Sequence, residues 1–153
     1  MNLCFAAEIT LGKLAKWLRI LGFDTLYESD FPNSNLFDLS DPERILLTRT
    51  QSIRKKISSP NLIFIKSDHP FEQLKEVIVA LDVKRTDTRP FSRCLRCNTP
   101  IEAVDKDSVR NDVPDYIWET HNAFQVCIKC RKIFWPGSHT RRSMNLINEL
   151  FEL

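Results

Sequence analysis

Four of the five cysteines form two pairs, Cys94-x2-Cys97 and Cys127-x2-Cys130. No other feature restricts the fold of this chain as strongly. Two such pairs supply four thiolates in knuckle-like turns, which suits the tetrahedral all-sulfur coordination of a structural Zn²⁺ with no position left open for water or substrate. The 29 residues between the pairs exceed the common interval, but an intervening hairpin absorbs that length without altering ligand geometry. A redox role for a CxxC pair is the competing reading, and two pairs outside a thioredoxin-like context disfavour it. His121 and His139 stay outside the ligand set. Cys4, alone in an apolar run, reads as a small buried hydrophobe. An odd count grouped in this way fits a reducing compartment better than a disulfide framework.

Upstream of the cysteines the pattern is different. "LCFAA" reads as a strand, and "LGKLAKWLRILG" repeats apolar residues at helical spacing until Gly22 stops it. "FDTLY" is a second strand. The polar stretch "ESDFPNSN" leads to a short helix expected near residues 35–41, ended by Pro42. "RILLT" is a third strand, "QSIRKKI" a short helix with Thr50 placed as N-cap, "NLIFIK" a fourth strand, and "PFEQLKEVIVALDV" a helix with Pro70 in its first turn and Asp68 or His69 as cap. Strands alternating with helices at this spacing imply an α/β fold with a parallel sheet and right-handed crossovers.

The expected organisation is an α/β core over 1–83, a charged connector over 84–92, a cysteine-rich ribbon over 93–140, and a C-terminal helix over 141–153 that packs back on the body. At 153 residues two large domains are excluded, whereas one core plus a small metal-stabilised module fits. The net charge of +2 is neutral on the question of a polyanionic partner. Its distribution is more informative: Lys13, Lys16 and Arg19 recur every third residue on the first helix, giving either a basic stripe or an ordinary solvated face. No apolar run approaches the ~20 residues of a membrane span, and "MNLCFAAEIT" lacks the basic and long apolar parts of a signal peptide. A cytoplasmic protein is expected.

The order "EITLGKLAKWLRILGFDTLY", "RILLTR", "FEQLKEVI", "PFSRCLRCNTPIEAVDK", "VPDYIWETHNAFQVCIKCRKIFWPGSH" and a final helix resembles the mut-seven C-terminal ribonuclease domain family. The resemblance covers nearly the whole length. It implies a PIN-like three-layer core followed by a zinc ribbon, and a ribonuclease that holds Mg²⁺ or Mn²⁺ on carboxylates at the strand ends. Phosphodiester hydrolysis needs such a cation to neutralise the phosphate and activate water.

The family's first acid falls on Glu8. A second is expected in "NSNLFDL", where Asn33 and Asn35 stand and Asp38 is the nearest carboxylate. The third follows "LTR" and falls on Thr50. Asp24 matches "GFD" and either assists the metal or fixes a turn. The resemblance thus gives Glu8, Asp24 and Asp38 as candidate catalytic residues.

Lys13, Lys16, Arg19, Arg49 and Arg141 are candidate RNA contacts, with Arg93, Arg96, Lys129, Arg131, Lys132, His139 and Arg142 on or beside the ribbon. Phe134 and Trp135 are candidates to stack on unpaired bases, with ribbon core as the alternative for Trp135. Two functions follow as expectations. One is a metal-dependent ribonuclease; the other is a non-catalytic RNA-binding or adaptor protein that keeps the basic surface and the ribbon.

Overall fold

A computed structural model describes residues 2–57 and 60–152; the expected outer domain limits, residues 1 and 153, lie outside them. The chain divides into two compact units at Arg89 and Pro90.

In the first unit four parallel strands, β1 (Cys4–Ala7), β2 (Asp24–Tyr27), β3 (Arg44–Thr48) and β4 (Leu62–Phe64), form a sheet in the order β2-β1-β3-β4. The helices are α1 (Gly12–Ile20), α2 (Gln51–Lys56) and α3 (Pro70–Leu81). The chain moves one way across the sheet from β1 to β2 and the opposite way from β3 to β4. Since such crossovers are right-handed, α1 and α2 must cover opposite faces. The packing agrees. Ala6, Leu26, Leu46 and Leu62 lie in one register row across all four strands and meet Leu36, Leu39, Ile53 and Ile57 on the α2 side, while α1 packs on β1, β2 and α3, with Trp17 edge-on to Phe71. The result is three layers.

Helix α1 ends as its sequence predicts. Gly22 takes a φ of 93°, so that its N–H reaches the Arg19 carbonyl and the Phe23 N–H reaches that of Leu18, a Schellman stop that a side chain at residue 22 would strain. Gly12, at the other end, faces the Tyr27 ring so closely that an added Cβ would lie 2.7 Å from its hydroxyl oxygen. Gly12→Ala should therefore displace Tyr27, whose hydroxyl bonds the Ile9 carbonyl at 2.8 Å. The expected loss is about 1–3 kcal/mol of stability, read as a lower urea midpoint at unchanged slope.

Two expectations require correction. A turn over 36–39 stands where a helix over 35–41 is expected: the Asn35 and Asp38 side chains each accept the other's backbone N–H, at 3.1 and 2.8 Å, as at a helix start, but the bonded turns stop at Ser40 ahead of Pro42, which disfavours helical backbone at Asp41. Cys4 is half-buried, its thiol donating to the Glu43 carbonyl. Within 84–92, where the two units divide, Arg85–Asp87 is a 3-10 turn and the Arg89 N–H bonds the Leu21 carbonyl within the first unit.

The second unit contains an antiparallel meander of β5 (Ile101–Val104), β6 (Phe124–Cys127) and β7 (Ile133–Phe134). The long interval between the cysteine pairs is a β5–β6 hairpin whose connection carries helix α4 (Asp115–Thr120). Val109, Val113, Ile117 and Phe124 close a small core there with Trp118 and Trp135 packed against it. Trp135 meets Phe124 edge-on and so belongs to the ribbon core. Helix α5 (Ser138–Phe151) completes the unit, with Ile147 and Leu150 buried.

Candidate functional site: a closed strand edge and a four-thiol cluster

Where successive crossovers leave a parallel sheet in opposite directions, a crevice opens beyond the carboxyl ends of the two strands concerned, and ligands bind there. Here those strands are β1 and β3. Glu8 directly follows β1; Arg49 and Thr50 directly follow β3. The crevice is filled from within. Glu8 is 2% exposed, and its carboxylate accepts the Arg49 N–H at 2.6 Å, the Thr10 hydroxyl at 2.7 Å and the Thr50 hydroxyl at 3.0 Å. Thr50 is the N-cap of α2 by position, but its hydroxyl makes no capping bond; it is turned onto Glu8 instead.

Of the other candidate acids, Asp24 is placed at the opposite edge, whereas the turn carrying Asp38 is tied to the strand end through the Leu36 N–H, which bonds Glu28. Asp24 begins β2, opposite Cys4, at the amino edge of the sheet, and is held there by a bidentate pair with Arg44. It cannot share a cation with Glu8. Asp38 caps the turn opened by Asn35. No bond brings Asn33, Asn35 or Asp38 to Glu8 among the described residues. Arg19 is also displaced from its expected role: it is 5% exposed, donating to the Thr25 carbonyl and to Asp30. Steps of three residues fall short of a full helical turn, so residue 19 is rotated roughly 120° from residue 13 and faces inward. Lys13, Lys16 and Arg141 are exposed, and Arg49 is half-buried.

Two acids beyond those expected stand at the same edge. Glu28 directly follows β2, beside Glu8 in register, and its two oxygens accept the Ile9 and Leu36 N–H groups at 2.9 and 2.8 Å. Glu76 on α3 accepts the Lys66 and Ser67 N–H groups beyond β4, both at 3.0 Å. The sequence carries a signal for Glu28, since "LCFAAE" and "DTLYE" both end a strand on Glu.

Together, Glu8, Glu28 and Glu76 bind the backbone amides of the strand-end loops. A divalent cation needs converging, uncommitted oxygens. Among the described residues no three acids of this edge come together, and the only group of three or more His, Cys, Asp or Glu side chains placed to share an ion is the four cysteines. The donor set at the strand ends does not fit the Mg²⁺ or Mn²⁺ that the resemblance implies.

The four cysteines do fit a metal. The sulfurs of Cys94, Cys97, Cys127 and Cys130 lie within 4.8 Å of one another, and those of Cys94 and Cys130 are 3.9 Å apart; tetrahedral Zn–S bonds of about 2.3 Å would set sulfurs about 3.8 Å apart. Both pairs are built alike. Asn98 and Arg131 follow the second cysteine with φ of 61° and 66°, and their N–H groups return to the carbonyls of Cys94 and Cys127.

Burial opposes ionisation of Cys127, but the Cys130 N–H, the Thr99 hydroxyl and the Lys129 N–H outweigh it and bring that thiol down to about 6. Cys97, burdened by burial and by hydrogen bonding to Cys130 and Cys127, is pushed up to about 12. Without a cation the cluster favours partial ionisation. A divalent ion removes the mutual repulsion and lets all four act as thiolates.

A parallel α/β unit with acids at its strand ends, joined to a four-cysteine ribbon, defines the class. The sequence matches the Mut7-C RNAse domain family over residues 4–147, nearly the whole chain, and the protein belongs to that family. No curated protein and no solved structure matched the sequence. No described helix is long and apolar enough to cross a membrane.

Proposed function

We propose that this member of the ribonuclease family binds RNA without metal-dependent cleavage, a Zn²⁺ ion in the four-cysteine site supporting its ribbon. One observation carries the reading: the Glu8 carboxylate, at the crevice where a catalytic cation would sit, is satisfied by a backbone amide and two hydroxyls. Those donors are neutral, and Glu28 and Glu76 at the same edge are likewise bonded to backbone amides, so its carboxylates are committed where two-metal chemistry asks for several open ones. The exposed Lys13, Lys16 and Arg141, with Arg49 at the strand end, provide the cations that attract phosphates. A second reading, hydrolysis, draws support from family membership and from Glu28 beside Glu8.

The test is anisotropy of a labelled single-stranded oligoribonucleotide, with cysteine-bound metal quantified throughout. Binding should weaken steeply from about 50 to 200 mM salt and be unchanged when Mg²⁺ and Mn²⁺ are omitted. With Mn²⁺ added, the wild type and Glu8→Gln should leave the RNA equally intact. Cleavage by the wild type that Glu8→Gln abolishes would establish the second reading and overturn the first.

A further inference from the structure

From Thr120 to Asn148 the sequence contains no acidic residue, yet it carries Lys129, Arg131, Lys132, Arg141 and Arg142. Four thiolates around a divalent ion leave two negative charges, so five cations exceed what the metal site needs for balance. Three of the five lie on the second cysteine knuckle.

That knuckle presents Lys129, Arg131 and Lys132 as exposed residues around Ile128, which is 53% exposed at its tip. Its backbone is held from several sides: Arg131 N–H to Cys127 carbonyl at 2.8 Å, Cys127 N–H to Lys132 carbonyl at 3.0 Å, and Cys130 N–H to Cys127 sulfur at 3.5 Å. Lys132 extends over the Phe134 ring, its ammonium 5.5 Å from the centroid. The first knuckle differs, because Cys94, Leu95, Arg96 and Cys97 offer a single exposed cation, Arg96.

We infer that the second knuckle, residues 128–132 with Phe134 beside it, is a contact face for single-stranded RNA. The assignment rests on the RNA-binding reading above. Three fixed cations suit successive phosphates, and an apolar tip among them suits the face of an unpaired base. Because the metal and its amide bonds fix the loop beforehand, little order need be imposed when the strand arrives.

The experiment compares full-length wild type with Lys129→Gln/Arg131→Asn/Lys132→Gln, Asn being chosen because residue 131 is left-handed. A charge-matched control carries Lys55→Gln/Lys56→Gln/Lys84→Gln. The probe is a labelled 12-nucleotide oligouridylate, and metal content and circular dichroism are matched among the proteins. Three lost phosphate contacts at ~0.7 each should reduce the slope of log affinity against log salt by about 2, and affinity at about 50 mM salt by roughly tenfold or more. Ile128→Ser should weaken binding about threefold with the slope unchanged, since no charge is removed.

If the control loses as much affinity and slope as the knuckle variant, the attraction is diffuse and the contact face is wrong while RNA binding stands. A knuckle variant with wild-type affinity and slope likewise refutes the contact face and leaves RNA binding in place. Wild-type protein that binds no RNA at low salt overturns both readings together.

Discussion

Cys127→Ser is expected to melt the second unit while residues 2–89 keep their protected core. The unit from Pro90 onward has a small apolar cluster around Val109, Val113, Ile117 and Phe124, and a module of this size is marginal on burial alone. Structural metal binding of this type contributes on the order of 10 kcal/mol or more. Cys127 is fully buried, and its backbone and sulfur anchor the second knuckle, as well as pairing with Ile101 across β5 and β6.

Metal analysis of the wild type should give about one zinc per chain, and the variant far less. Hydrogen exchange read by mass spectrometry should show backbone amides from residue 93 to 135 exchanging rapidly in the variant, with those of β1 and β3 still slow. Equal protection in both proteins, or a metal-free wild type with an intact ribbon, would refute the structural role. The four sulfurs must lose protons to bind, so acidification should release the metal and reproduce the variant's exchange pattern.

Thr50→Asp should convert the closed strand edge into one whose stability depends on a divalent cation. The Thr50 hydroxyl lies 3.0 Å from the Glu8 carboxylate, and an Asp there sets two carboxylates against each other in a buried crevice. Such a pair must share a proton or hold a cation. In EDTA near pH 7 the substitution should cost on the order of 3 kcal/mol, seen as a lower melting temperature. Mn²⁺ at about a hundred times its dissociation constant should restore ~2.7 kcal/mol, whereas the wild type should not respond. A wild type stabilised by Mn²⁺ as strongly as the variant would show that the edge is already a metal site. Zinc content must be equal in both proteins, so that the shift reports the crevice and not the ribbon.

Much of the fold could be read from the residues themselves. The strand "RILLT" is β3 to the residue, Pro70 opens α3, and Gly22 closes α1. These succeed because apolar periodicity, a fixed proline φ and a left-handed glycine act over a few neighbours. The helix expected at 35–41 gives way to a turn over 36–39 for an equally local reason, since Pro42 disfavours helical backbone at Asp41. The cysteine cluster was legible in its ligands, since only one arrangement brings two short pairs to a common metal. Its surroundings were not, because the 29-residue interval says nothing about which strands or helix fill it.

The strand edge was legible only in part. Sequence placed Glu8 and Thr50 at strand ends, as the structure has them. That Thr50 donates to Glu8 depends on β1 and β3 being neighbours, although the two residues are 42 positions apart in the chain. The same register sends Asp24 to the opposite edge and Arg44 to meet it. Helical rotation alone turned Arg19 inward, but its partners there, the Thr25 carbonyl and Asp30, are in reach only once β2 is in place.

By itself, then, the sequence determined the succession of strands in the first unit and the four cysteines of the cluster, since each depends on residue type and near spacing. Tertiary structure decided which acids share an edge, which cations remain in solvent, and that the crevice is closed by hydrogen bonds. Those follow from strand order and register, and a one-residue change in register moves a side chain to the other face of the sheet.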